Sequence, residues 1–368
     1  MRAAAVLLLV PSLAVADPAF VPEKATVVGR VGDGAWTDAA TEARQDQPAE
    51  LAAVVVGKRA GRRVVLAPAG ITTVLINGAR TRTELLEGKV QWSTVEPHGF
   101  RTTPAKNGVT SDFYSNVSVE PPAFGKWRGY DTIDYFEHVV APWSATAIVP
   151  ARVAASEVSA TQVPGLGTIR FKVEVEIGGV KVASPGAEAT DTAGMLPSVH
   201  RVSVRRGDDF LGRLSSYLLV PEVFGSAGAG RTHQTDRFTG ADCADVMVGA
   251  MRRSGKQLAY TNVAGLTAYA RPVSKLVKLD DKGMPEARIE IKSGDLIRID
   301  YGADSPRASW DHVAALWEDR SDPAGPHKGG PDGQLDAFDL VIHMGHPRLV
   351  IEPLARQAPA TIDVLRWR

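Results

Sequence analysis

Apolar and polar residues alternate with a period of two through much of the first half of the chain. Thr168–Ile177 reads Thr-Ile-Arg-Phe-Lys-Val-Glu-Val-Glu-Ile, which puts apolar side chains on one face and charged ones on the other. Gly178-Gly179 and Val180-Lys-Val follow, the outline of a hairpin closed by a two-residue turn. Ala52-Ala-Val-Val-Val-Gly and Arg62-Arg-Val-Val-Leu-Ala flank Lys58-Arg-Ala-Gly and predict a second hairpin. Further strands are expected at 71–78, 146–150 and from 153 onward, and only 131–140 carries a weak helical pattern. Residues 20–195 therefore read as a β-rich, sandwich-like accessory domain.

The small, polar stretch 184–194 separates this region from one with a different period. Apolar residues at 210, 211, 214, 217 and 218 predict a helix over Asp208–Leu218. After a Gly-rich loop (225–240), Cys243, Val246, Met247, Ala250 and Met251 recur at i, i+3, i+4, i+7 and i+8. That spacing puts the thiol on the buried stripe of a second helix, at its start. A hairpin of 275–279 with 287–291 is expected next, then strands at 294–300, 310–317, 340–344 and 348–353. Helices followed by antiparallel strands predict an α+β domain over 200–368.

Composition narrows the function. The 368 residues hold 42 basic and 42 acidic side chains, so there is no basic excess of the kind that nucleic acid or an anionic membrane surface selects. The opening Met1–Ala16 has one positive charge, a short apolar run and Ala14-Val-Ala16, the form of a secretory signal peptide cut after Ala16. The run is too short to span a bilayer, so the expected location is periplasmic or extracellular, with no transmembrane anchor. Cys243 is the one cysteine, and a single thiol has no internal disulfide partner.

A thiol at a helix start, where free N–H groups and the helix dipole favour an anion, followed by distant histidines, outlines a nucleophile and its base. Cys243 is the expected nucleophile, His312 the expected general base, and His343 the group expected to orient His312. His346, Asp339 and Asp311 are competing orienting groups. A metal site built from His312, His343 and His346 is a second reading, weakened by the lack of a His-Glu-x-x-His or paired-cysteine motif. The mechanism with Cys243 requires no cofactor and no metal.

Five pieces of sequence, in order, resemble the NlpC family of papain-like cell-wall peptidases. They are Val220-Pro-Glu-Val-Phe-Gly225, Asp242-Cys243-Ala-Asp245, Gly294-Asp295-Leu, His312-Val-Ala-Ala-Leu-Trp317 and Val341-Ile-His343. The resemblance covers roughly the last 160 residues. It implies a papain-like fold, with a cysteine helix packed on an antiparallel sheet, and amide hydrolysis through a thioester. The implied substrate is a peptide or a peptidoglycan stem peptide, with contacts at Asp242, Glu222, Phe224 and Trp310. Segments 225–240 and 320–337 would flank the cleft. Two positions depart from the family pattern: Glu222 stands where an aromatic is usual and Ala244 where serine is usual. These departures keep a third reading open, a secreted binding or adhesion protein whose NlpC-like domain has lost activity.

Overall fold

The computed structural model describes residues 19–97, 113–115, 127–128, 135–156, 163–191, 194–227, 234–302, 310–345 and 347–368. The leader expected at 1–16 lies outside them. Strand makes up 46% of the chain and helix 10%, in several sheets. The expected α+β, papain-like class is therefore corrected to a β-rich fold. The three α-helices among the described residues are short: Phe210–Ser215, Gln234–Arg237 and Cys243–Arg253.

Two sheets dominate the first half. One runs Val21–Val31, Ala49–Arg59, Arg62–Ala67 and Glu84–Leu85, with Ile148–Pro150 also on the Ala49–Arg59 strand. The other runs Tyr135–Ser144, Lys89–Pro97, Gly167–Ile177, His200–Arg205 and Thr41–Arg44. Both expected hairpins form. Val55–Arg59 pairs with Arg62–Leu66 across Ala60-Gly61, and Glu174–Ile177 pairs with Val180–Ala183 across Gly178-Gly179. All four turn residues have positive φ, the two-residue turn that matches the twist of adjoining strands. The run Leu51–Val56 is buried on both sides, which explains why it is continuously apolar where Thr168–Ile177 alternates. One side packs on Trp92, Phe171 and Val173, and the other on Trp36, Ile71 and Val74.

A third sheet, antiparallel throughout, carries the candidate site. Its order is Ala270–Pro272, Ala360–Trp367, Leu296–Asp300, His312–Glu318, Leu340–Met344 and Leu349–Pro353. Its two faces differ. Val313, Ala315, Ile342 and Met344 pack on Val246, Met247 and Ala250 of the cysteine helix, in an apolar cluster that continues to Val27 and Leu51 of the first sheet. Ile297, Ile299, Ala314 and Val341 face Ile289, Ile291, Leu335 and Leu354. That second face is covered by irregular chain and short turns, with no α-helix in its cluster, and this is one reason the helical content stays low.

Three local expectations are overturned. The helical pattern at 131–140 is strand from Tyr135 to Ser144, because pairing with Lys89–Pro97 outweighs a weak periodicity; residues 131–134 lie outside the described set. The helix expected to reach Leu218 stops at Ser215: Ser215 and Ser216 donate to the carbonyls of Gly212 and Arg213 (both 2.6 Å), and the chain tightens through i→i−3 turns to Leu219 at φ 71°. Residues 275–279 and 287–291 do not form a regular hairpin. Val277–Leu279 pairs with Ala360–Ile362, and Ile289 and Ile291 bury their side chains from irregular chain.

Candidate active site

Asp242 caps the cysteine helix. Its Oδ1 accepts the N–H groups of Ala244 (3.0 Å) and Asp245 (2.8 Å), and its Oδ2 accepts that of Gly225 (3.1 Å). Asp245 accepts from Ser226 Oγ and Ala227 N–H, both at 2.7 Å. Two carboxyl groups thus pin 225–227 to the start of the helix. Cys243 is its first residue, half-buried against the main apolar cluster.

The histidines belong to a diagonal row. Ala314 lies opposite His343, and His343 lies opposite Val350. His312, His343 and Glu352 therefore share one face of the sheet and step across three neighbouring strands. His312 Nε2 is 2.9 Å from His343 Nδ1, and His343 Nε2 is 3.0 Å from Glu352 Oε1. Gln357 Nε2 donates to the same Glu352 oxygen (2.8 Å), and Tyr301 Oη donates to Gln357 Oε1 (2.5 Å).

Hydrogen-bond directions follow from the end of this chain. A carboxylate only accepts, so His343 must carry its proton on Nε2. His343 Nδ1 then accepts, which requires a proton on His312 Nε2. The other His312 nitrogen, Nδ1, is left with a free lone pair, the state a general base needs.

The row shares its face with Ile299 and Ala314, whereas the cysteine helix packs on the opposite face. The thiol reaches the beginning of the His312 strand, where the Val313 N–H acts on the sulfur. Burial pushes the Cys243 thiol well above its ordinary range, and the Asp242 and Glu222 carboxylates push it further. Burial, with His343 beside it, holds His312 well below the usual imidazole range. The thiolate expected from the helix start is thus not the resting form. Desolvation and two acidic neighbours outweigh the N–H groups of Ala244 and Val313, so the thiol and the imidazole both rest neutral.

Cys243 opens on a cleft of about 600 Å³ whose lining includes Phe224, Asp242, Tyr260, Asn262, Trp310 and Asp311. Three of the four expected substrate-contact residues line it. Glu222 does not, and its charge acts on the thiol. The lining also has no member of 320–337. The chain there turns to the far face of the sheet, where Leu335 is buried, and Tyr260–Ala264 forms that wall instead. Asp242 is committed to three backbone N–H groups and Asp311 to the N–H of Tyr301 (3.0 Å). Asp339 accepts the N–H groups of Arg320 (2.9 Å) and Asp336 (2.8 Å). His343 is thus the side chain that meets His312. His346 lies outside the described residues, and among those described no group of three or more His, Cys, Asp or Glu could hold a metal ion.

Comparison with protein-family models, curated proteins and solved structures gives no match to this chain. Site residues that the sequence did not announce are Glu352, Gln357 and Tyr301. Glu352 had one legible signal, a charged residue in the otherwise apolar Leu349-Val-Ile-Glu-Pro strand.

Proposed function

We propose that this protein is a cysteine hydrolase that cleaves amide bonds through a thioester. The observation that carries the reading is the hydrogen-bonded row from His312 to Glu352, which leaves one His312 nitrogen unprotonated beside a strand that contacts the Cys243 sulfur. Because both partners rest neutral, the proton passes from sulfur to His312 Nδ1 as sulfur attacks the carbonyl carbon. Oxyanion charge falls on the Cys243 N–H, since the N–H groups of Ala244 and Asp245 are already held by Asp242. His312 then gives its proton to the departing amine. Water attacks the thioester with the same imidazole as base, and the thiol is regenerated. The sequence resemblance favours peptides or peptidoglycan stem peptides as substrate, in a protein exported by its N-terminal leader.

A thiol-directed alkylating probe and digestion of purified peptidoglycan, read by mass spectrometry, test the reading. Cys243 should be labelled in the folded protein, and His312→Ala should slow both labelling and hydrolysis by about 10²-fold or more. Equal labelling of the two proteins, with no cleavage product from either, would refute the hydrolase.

A further inference from the structure

We propose that Glu352 is a positioning residue for this chemistry: through His343 it fixes which His312 nitrogen is free, and it balances the positive charge that His312 acquires. The inference rests on the hydrolase reading and adds a residue that never touches substrate. The hydrogen bonds around Glu352 converge on one carboxylate oxygen. Glu352 Oε1 accepts from His343 Nε2 and Gln357 Nε2 at 3.0 and 2.8 Å, and the Tyr301 hydroxyl donates to the Gln357 Oε1 that this orientation leaves facing it. Gln357 Nε2 also lies 3.1 Å from His343 Nε2; both are donors, and they converge on the same carboxylate oxygen.

The consequence is electrical as well as steric. When His312 takes the thiol proton on Nδ1, its Nε2–H still points at His343 Nδ1, and the added charge spreads along the row toward Glu352. The carboxylate is held below its usual range by the His343 bond and by Arg356, so it is ionised throughout the working pH range. Among the described residues, the other groups that face the pair are His343 and Tyr301 around His312, Asp311 near Tyr301, and Asp242 and Glu222 near the thiol. Apart from the strand that His312 begins, these come from the Leu296–Asp300 strand and its extension, the Leu340–Met344 strand, the helix start and the residue before Val223–Phe224. None supplies a second anion to the far nitrogen of His343. With glutamine at 352 the amide oxygen can still accept, so the tautomer survives and only the charge is lost. With an apolar residue both are lost.

The test uses the full chain and iodoacetamide as the probe, following alkylation of Cys243 against pH. Glu352→Gln should slow labelling about tenfold near neutral pH, the lower end of what one opposite charge does to an ionisation. The deficit should vanish at high pH, where the thiol ionises without help, and Glu352→Asp should recover part of the loss. A profile identical to wild type, or one slowed equally at all pH values, overturns the proposal and leaves the hydrolase standing. Labelling that His312→Ala does not change overturns this proposal, and with no cleavage product from either protein it takes down the hydrolase as well. Should the variants fold poorly, ¹⁵N chemical shifts of the wild-type imidazoles decide the matter alone. A proton on His312 Nε2 and on His343 Nε2 supports the assignment, and the opposite tautomer on either ring overturns it.

Discussion

Replacing Asp242 by asparagine separates the two things that residue does. As a cap it feeds two helix N–H groups, and asparagine caps as well as aspartate. As a charge it raises the thiol more than Glu222 does, second only to burial. Two unit charges roughly 6 Å apart at an effective dielectric of about 20 repel by about 3 kcal/mol. Cys243 is half-buried, so solvent removes a good part of this, leaving about one pKa unit. The thiol should therefore ionise about one unit lower in Asp242→Asn, with alkylation up to tenfold faster at mildly alkaline pH. The sign has a window. Burial and the neighbouring Asp245 raise Asp242 to about 7, so below that pH the wild-type carboxyl is itself neutral and the two proteins should coincide. Above it they should diverge. The amide places an N–H against the Gly225 N–H, a lost bond of about 1 kcal/mol that the relief of the Asp242–Asp245 contact partly offsets. Alkylation midpoints and urea denaturation of both proteins supply the measurements. An unmoved or raised midpoint, in a variant that is still folded, would refute the electrostatic reasoning.

Two further predictions concern stability. Arg298 and Asp363 form a two-pronged ion pair (2.9 and 2.5 Å) with side chains only 7% and 9% exposed, under the Trp310 ring that lines the cleft. Arg298→Met should cost about 3–5 kcal/mol by leaving Asp363 buried and unpaired, while replacing both by apolar residues should cost far less; equal losses in urea denaturation would show that the pair itself is unimportant. Gly167 has φ +118°, and a Cβ there would stand 2.4 Å from the Leu218 carbonyl oxygen, whereas Gly61 (φ +77°) has open space around it. Gly167→Ala should lose about 2–4 kcal/mol and Gly61→Ala about 1, and similar shifts in denaturation midpoint would mean the close approach is not what requires glycine.

What the sequence determined by itself is local. The alternation in Thr168–Ile177 and the two-residue turns named both hairpins, because a period of two and a pair of residues at positive φ are properties of a few adjacent positions. Spacing alone put Cys243 at the head of a buried helical stripe, since Val246, Met247 and Ala250 have no other way to share one face. The order Cys243, His312, His343 was legible too, but its meaning was not. Tertiary structure decided that Ala314 stands opposite His343, so that two imidazoles 31 residues apart meet and Glu352 completes the row. It decided the β-rich class, by covering the second face of the sheet with Ile289, Ile291 and Leu335 from irregular chain. It also reversed the expected charge state of the thiol. A helix start favours an anion by an amount that sequence can suggest, and Asp242 is the residue before the sulfur, but burial and the Glu222 carboxylate depend on how distant segments pack, and with Asp242 their sum is larger.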